Sequence, residues 1–184
     1  MIPDDLRVAG FLDARRALSF LEELPAGQSW VGDLSASADP DQALLQAVRL
    51  READPGLVDA LSRDERARRR VCAILGGSQW LGDYVIADPA RAAAINEDPG
   101  DPREVLYEAV GARTVGRGVW VAAREATADD LRAAYRRVLL HLAADDLTSG
   151  TPEDLMPSVG ARIAALVDAT LAAGLALARR DVHP

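Results

Sequence analysis

The sequence has no lysine, one cysteine and few aromatic residues. All 21 basic residues are arginine, which we attribute to a bias toward GC-rich codons. The single cysteine, Cys72, excludes an intramolecular disulfide and a cysteine metal cluster. Because Cys72 occupies an apolar helical position, we expect a buried and unreactive thiol rather than a nucleophile. Aromatic residues make up only 4% of the chain, so its core must be built mainly from aliphatic side chains.

Positive charge is also in deficit. The formal net charge of −8 argues against non-specific nucleic-acid binding, since that binding draws its affinity from neutralised phosphates. The first residues lack a basic stretch followed by an apolar run, so no signal peptide is expected. The most apolar segment, Val159–Ala178, contains Arg162 and Asp168 and is better explained as a buried helix than as a membrane span. We expect a cytoplasmic protein with no nucleic-acid or membrane partner.

Leucine and alanine dominate the residues that are present. Hydrophobic residues make up 49% of the chain, and glycine and proline cluster between the periodic segments. Asp-Pro pairs are typical of helix starts, because Asp caps free amides and Pro tolerates the first helical position. They begin at residues 39, 54, 88, 98 and 101. The sequence therefore predicts an all-α fold, an irregular bundle of about seven to nine helices. Residues 1–38 are expected to form an N-terminal helix and loop, and residues 39–184 a helical domain.

Apolar periodicity places the individual helices. The first predicted helix is Asp5–Leu24, followed by a loop over residues 25–38. Its predicted apolar stripe consists of Leu6, Ala9, Leu12, Ala17, Phe20, Leu21 and Leu24. The other predicted helices are Pro40–Glu52, Pro55–Leu61, Arg63–Leu75, Ser78–Ala87, Ala90–Asn96, Arg103–Val110, Ala128–Leu147 and Pro157–Asp181. Residues 96–102 are predicted to form an acidic loop. Residues 111–121 favour an irregular loop with a β-turn, and a short hairpin near 113–121 is the alternative.

Short motifs refine the helix ends. Ser62-Arg63-Asp64-Glu65 is interpreted as a capping box, and Thr127-Ala128-Asp129-Asp130 as a weaker relative. Gly76-Gly77-Ser78 is interpreted as a corner, in which a left-handed glycine ends one helix and Ser78 caps the next. A phosphate-binding loop is less favoured, because it would normally follow a strand and carry a lysine.

Candidate catalytic groups are few. Asp83 has no second carboxylate one residue away, which a nucleotidyltransferase metal site would need. The arginines at positions 63, 66, 68, 69 and 70 are predicted to form a solvated helix face, with Asp64–Arg68 and Glu65–Arg69 ion pairs. His141 and Asp145 favour a surface pair near a helix C-terminus over metal ligands or an acid–base pair. No catalytic or metal-binding residues are predicted, and a metal-dependent hydrolase that uses His141 is the weakest alternative.

Two segments carry a resemblance to a known family. Leu75–Pro89 is similar to a Leu-Gly-x-Ser-x-x-Leu-Gly-Asp stretch that leads into a proline, and Leu131–Leu147 is similar to an arginine-rich helix that ends in Asp-Leu. With their flanking helices they cover roughly residues 38–181. On these residues the chain resembles the N-terminal helical region of the bifunctional glutamine synthetase adenylyltransferase/adenylyl-removing enzymes. It departs from them at Trp80, where a smaller residue is usual, and at 111–121, which has no counterpart.

The resemblance implies a function that the residues alone do not. Such enzymes have two nucleotidyltransferase modules, one that transfers AMP from ATP to a tyrosine of glutamine synthetase and one that removes it by phosphorolysis. Mg²⁺ and ATP are implied for the full-length enzymes, with glutamine synthetase and the PII signal protein as partners. The first catalytic core would follow a segment like Val159–Ala178, so this segment is expected to be non-catalytic and to hold no cofactor. Candidate contacts with that core or with substrate are Asp83, Arg132, Arg136 and Arg137. A stand-alone helical interaction module or a degenerate remnant without activity is the alternative.

Overall fold

The computed structural model describes residues 3–150, 152–180 and 182. These residues form eleven α-helices and one two-stranded sheet, which confirms the all-α class but exceeds the predicted number of helices. The helices are α1 Pro3–Val8, α2 Ala14–Glu23, α3 Val31–Ser35, α4 Pro40–Ala53, α5 Pro55–Arg63, α6 Glu65–Gly77, α7 Gln79–Ile86, α8 Ala93–Asn96, α9 Pro102–Ala109, α10 Ala128–Thr148 and α11 Pro152–Arg180. The predicted end of the last helix, Asp181, lies outside the described residues.

The chain divides into two compact units. The first comprises the described residues of Met1–Asn96 and Ala143–Ser149, and the second those of Glu97–Leu142 and Gly150–Pro184. The last part of α10 therefore belongs to the first unit and the rest of that helix to the second. The proposed division at residues 38 and 39 concerns the organisation of a longer protein and stays a prediction.

The first predicted helix is two helices. Gly10 has a φ of +95°, a conformation that favours glycine, and the chain restarts as α2 after Asp13, whose side chain accepts from the Arg16 amide. The break rotates the apolar stripe. Leu12, predicted to be buried, is 91% exposed, whereas Phe11 is buried in its place. A continuous period of 3.6 residues could not place both residues correctly, because the period is interrupted between them.

The predicted loop at residues 25–38 is largely helical. It contains a 3₁₀ turn, Gly27–Trp30, and then α3. Trp30 is fully buried, and its indole nitrogen donates to the Pro25 carbonyl at 3.1 Å and to Ser62 Oγ at 3.2 Å. Burial of one large aromatic side chain stabilises this short segment more than its weak helix propensity opposes it.

Three of the five Asp-Pro pairs cap α-helices as predicted. Asp39, Asp54 and Asp101 accept from backbone amides in the first turns of α4, α5 and α9. Asp88 precedes a 3₁₀ turn, Pro89–Ala92, without a side-chain cap, and this turn replaces the first half of the predicted Ala90–Asn96 helix. Asp98 accepts from the Gly100 amide in the loop before α9 and begins no helix.

The predicted capping box at Ser62 is wrong, and the Thr127 motif forms a capping box with hydrogen bonds in both directions. Asp64 caps α6 by accepting from the Ala67 amide at 3.0 Å, while Ser62 remains inside α5 and bonds to Trp30. At the start of α10, the Asp130 amide donates to Thr127 Oγ1 and the Thr127 amide donates to the Asp130 carboxylate, at 3.2 and 2.8 Å. The capping box therefore stands at Thr127–Asp130.

The Gly76-Gly77-Ser78 corner has a different cause from the predicted one. Both glycines are helical residues of α6, and neither has a positive φ. A Cβ at Gly76 would approach the Ser37 side chain to 2.4 Å and the Asp39 carbonyl oxygen to 2.9 Å. The glycine thus allows α6 to pack closely against the segment before α4. Ser78 caps α7 as predicted, by accepting from the Leu81 amide.

The second unit is built around α9, a hairpin, the first part of α10 and α11. Strands β1 (Arg113–Thr114) and β2 (Trp120–Val121) pair antiparallel, with Arg113 opposite Val121. The favoured loop at 111–121 is therefore wrong, and the hairpin alternative is confirmed. Leu131, Val138 and Leu142 of α10 are buried and share one core with Leu106 and Leu166.

Helix α11 begins before its predicted start and contains Pro157 internally. Over Met156–Arg180 it is long and apolar enough to cross a membrane, judged by length and composition alone. One of its faces, which includes Leu166, Ala169 and Ala173, is buried in the core of the second unit.

Candidate functional site

Asp83 lies on α7 and is held by a neighbouring arginine. Arg49 on α4 donates to its carboxylate at 2.6 Å, and the two side chains are 44% and 42% exposed. A carboxylate engaged by a guanidinium is a poor ligand for a cation unless the arginine leaves. The geometry makes Asp83 part of a surface ion pair, and its role in contacting a partner stays a prediction.

Two aromatic rings flank Asp83 on α7. Trp80 and Tyr84 stack with ring centroids 6.0 Å apart, and the Arg91 guanidinium lies 4.0 Å above the centre of the Tyr84 ring. Arg91 also donates to the Tyr84 carbonyl at 2.7 Å. Trp80 is 53% exposed, so the stack presents a wide aromatic surface to solvent. Tryptophan, tyrosine and arginine are enriched among the residues that dominate protein–protein binding.

The three candidate arginines lie on the part of α10 that belongs to the second unit, whereas Asp83 belongs to the first. Arg132 is exposed and donates to Asp129 one turn earlier. Arg137 is exposed and Arg136 half-buried. The four candidates are therefore not placed together within one compact unit.

The predicted solvated face of α6 is only partly solvated. Arg68 and Arg70 are 6% and 7% exposed. Arg68 pairs with Asp33 at 2.7 Å and donates to the Ser62 carbonyl at 3.2 Å, so the expected partner Asp64 is replaced by Asp33. The burial of these two arginines could not be predicted from the pattern of apolar and arginine residues. A long side chain at an inward position can satisfy its donors by bonding to other helices.

Arg70 on α6 is a partner of Asp145 that the sequence did not predict. Its guanidinium donates twice to the Ile95 carbonyl and, at 2.6 Å, to the Asp145 carboxylate. His141 is buried at 8% exposure, so the predicted surface pair is wrong. Among the residues that the structure describes, no three histidine, cysteine, aspartate or glutamate side chains come together in a way that could hold a metal ion. The described side chains therefore do not fit an Mg²⁺ centre.

Cys72 is fully buried, as predicted. Burial raises the pKa of its thiol far above the ordinary range, and the nearby Asp33 carboxylate adds to the rise while Arg68 opposes it. A thiol that cannot ionise near neutral pH is not a nucleophile.

A cleft of about 410 Å³ lies in the first unit, along α2 and α4. The lining residues that matter chemically are Asp13, Arg16, Phe20, Asp41 and Arg49. Its carboxylates are already engaged: Asp13 caps α2, and Asp41 accepts from the Leu12 amide at 2.8 Å. Arg16 stacks over Phe20 at 5.1 Å. The cleft was missed from sequence, because its walls come from segments that the predicted continuous first helix would have arranged differently.

The fold and these surfaces define the class of protein: an all-α module whose charged side chains form ion pairs and helix caps, with aromatic rings exposed on one helix. Comparison with known proteins gives the family. The chain is 34% identical to the "Bifunctional glutamine synthetase adenylyltransferase/adenylyl-removing enzyme" of Leifsonia xyli subsp. xyli over 94% of its own length, and 36% identical to the enzyme of that name from Streptomyces coelicolor over 92%. Identity with that of Bifidobacterium longum subsp. infantis is 29% over 97%.

The chain belongs to this family and corresponds to one segment of its members. It spans 17% to 18% of the length of these three relatives. No family model and no solved structure matches the chain.

Proposed function

We propose that the chain acts as the non-catalytic, N-terminal helical segment of an enzyme that adds AMP to glutamine synthetase and removes it. One observation carries this proposal: relatives with this bifunctional name match the chain almost from end to end, yet only over less than a fifth of their own length. A segment of that size leaves most of each relative to supply the two activities in its name.

The cofactors of the reaction belong, in this proposal, to the remaining polypeptide. ATP and Mg²⁺ would be bound there, since the described side chains of this chain offer no set of metal ligands. In the removing reaction, an oxygen of inorganic phosphate would attack the AMP phosphorus, the bond to the tyrosine oxygen would break, and ADP and free tyrosine would result. A cytoplasmic location and regulation by the PII protein complete the proposal.

The segment's own task would be to pack beside the adenylyl-removing core and to shape how that core meets glutamine synthetase. The α7 surface supports this role, because Trp80, Asp83 and Tyr84 lie on one face of α7 and Arg49 of α4 pairs with Asp83. Arg132, Arg136 and Arg137 are the proposed contacts on α10. All three offer guanidinium groups, which suit carboxylate or phosphate partners.

The proposal is tested by assaying the chain alone. Incubated with adenylylated glutamine synthetase, inorganic phosphate and Mg²⁺, the chain should release no ADP above the blank, while the Leifsonia xyli enzyme in the same assay should release it. Release by the chain alone would overturn the non-catalytic assignment.

A second arm tests membership of the enzyme's machinery. In a chimera, this chain replaces the matching segment of the Leifsonia xyli enzyme, and the chimera should retain adenylyl transfer and removal. A well-folded chimera without either activity would favour a stand-alone interaction module instead.

A further inference from the structure

Helix α11 has apolar side chains on two opposite faces. One face is buried in the core of the second unit, through Leu166, Ala169, Ala173 and Ala176. The other face, here called the outer face, exposes Met156, Ile163, Val167, Leu171 and Leu175, which are 75%, 45%, 45%, 67% and 49% exposed. The other large apolar side chains with more than half of their surface exposed, such as Val8 and Leu12, do not form such a row among the described residues.

The outer face is continuous, with one charged side chain, the exposed Asp168, at its edge one turn before Leu171. Ile163, Val167, Leu171 and Leu175 recur every four residues, so they follow one side of the helix over about 18 Å. Small exposed residues, Gly160 and Ala164, lie between these side chains and would let another backbone approach closely. A contiguous row of exposed apolar side chains is typical of an interaction site.

We propose that the outer face of α11 is where the remaining polypeptide of the family enzyme packs onto this segment, through an apolar surface of its own. This inference rests on the proposed function. In the Leifsonia xyli relative the matching segment is 18% of the chain, so a far larger polypeptide is tethered to it. A tethered partner acts at an effective concentration in the millimolar range for short linkers, which a second free copy does not reach.

A lipid bilayer suits α11 less well than a protein surface. Insertion would expose the packed face to lipid and separate it from α9 and β2, with which it shares a core. It would also place Arg162 and Asp168 within the span, and charged residues near the centre of a membrane helix are costly. A protein surface covers the outer face without disturbing the opposite one.

The test compares side-chain oxidation by hydroxyl radicals in the isolated chain and in the chimera with the Leifsonia xyli enzyme. Met156 and Leu171 should be oxidised readily in the isolated chain. In the chimera their oxidation should fall about fivefold or more, because a packed apolar side chain keeps only about a twentieth of its exposed area. Leu12, which is 91% exposed, lies in the first unit and should be oxidised in both proteins. Equal oxidation of Met156 and Leu171 in both proteins would overturn the proposal.

Variants of the outer face extend the test. In the isolated chain, Leu171→Glu with Leu175→Glu should change the melting temperature little, as Leu12→Glu should, because Leu12 and Leu171 are mostly exposed and Leu175 is half exposed. In the chimera, the double variant should restore oxidation of Met156, and Leu12→Glu should not. A large fall in the melting temperature of the isolated double variant, together with a doubled mass of the unsubstituted isolated chain in light scattering, would overturn the proposal. It would show that a second copy of this chain, and not the tethered polypeptide, covers the outer face. Protection that appears only with phospholipid vesicles would also overturn the proposal.

The two proposals fail separately. An active chimera in which Met156 and Leu171 are still oxidised would support the proposed function and overturn the proposed packing on the outer face. A folded chimera in which the outer face is protected but no AMP is transferred would support the packing on the outer face and overturn the proposed function.

Discussion

Two aspartate–arginine pairs in the first unit have nearly the same geometry and differ in their access to water. In the Arg68–Asp33 pair the nitrogen–oxygen distance is 2.7 Å, and the two side chains are 8% and 12% exposed. In the Arg49–Asp83 pair the distance is 2.6 Å, and the side chains are 44% and 42% exposed. A buried charge depends on its partner because water cannot replace it, whereas an exposed charge is rehydrated when its partner is lost. The arginine of the buried pair also lies 6.0 Å from the centre of the Trp30 ring.

This difference predicts unequal effects of the same substitution. Asp33→Ala should lower the free energy of unfolding by about 3–5 kcal/mol, because the Arg68 guanidinium would remain buried without its carboxylate. Asp83→Ala is the matched control and should cost at most about 1 kcal/mol, since Arg49 is half exposed. Urea unfolding followed by circular dichroism measures both, and equal losses would show that the burial of the Arg68–Asp33 pair has no energetic consequence.

At the scale of the elements, the helices whose ends carry strong local signals were predictable and the others were not. The Asp-Pro caps located α4, α5 and α9 to within two residues. The loop predicted at residues 25–38 is wrong because the order of this segment depends on Trp30, which contacts Pro25 and Ser62. A tryptophan within a glycine- and serine-bearing stretch was the available signal. The partner of Arg70 could not be found from sequence, because Asp145 is 75 residues away.

The capping box of α10 gives a prediction about pH. Hydrogen bonds from the Thr127 hydroxyl and from its backbone amide lower the pKa of the Asp130 carboxyl below its ordinary value. Because the folded pKa is the lower one, the contribution of this box is fully present above the ordinary aspartate pKa and is lost as the pH falls through the folded pKa. Thr127→Ala should raise the pKa of Asp130 toward its ordinary value, as measured by carbon-13 titration.

The control for this titration is Thr148→Ala. Thr148 donates to the Ala144 carbonyl at the other end of the same helix, so its loss should leave the titration of Asp130 unchanged. An unchanged titration in Thr127→Ala would mean that Thr127 does not set the ionisation of Asp130.

At the scale of the whole molecule, composition predicted the class but not the interior. An aromatic content of 4% with abundant leucine and alanine indicated helices packed through aliphatic side chains, and that is the observed architecture. The buried arginines and His141 escaped prediction because burial of a polar side chain depends on partners from distant helices, which a periodic pattern does not contain. The same reason limits what the sequence shows of the candidate surface on α7. The four-residue spacing of Trp80 and Tyr84 places their rings on one helix face, but the position of Arg91 over the Tyr84 ring depends on tertiary structure.

The single cysteine can report on the opening of the first unit as a whole. Cys72 is fully buried and its pKa is raised by burial, so the native protein should not react with Ellman's reagent, even when the pH rises from about 7 to 9. Reaction should begin only as urea unfolds the unit, with the same midpoint as the loss of helix. Rapid, urea-independent labelling in native buffer would contradict the buried position of the thiol.

The two inward-facing guanidinium groups of α6 also constrain how this sequence can change over evolutionary time. In a lineage drifting toward AT-rich codons, most of the 21 arginines could be exchanged for lysine. At positions 68 and 70 the exchange would lose donors, because one ammonium group cannot span the Ile95 carbonyl and the Asp145 carboxylate as the planar group of Arg70 does. Arginine at positions 68 and 70 is therefore required by hydrogen-bond geometry and not only by base composition. We expect it to be retained at these two positions even where lysine replaces arginine elsewhere in the chain.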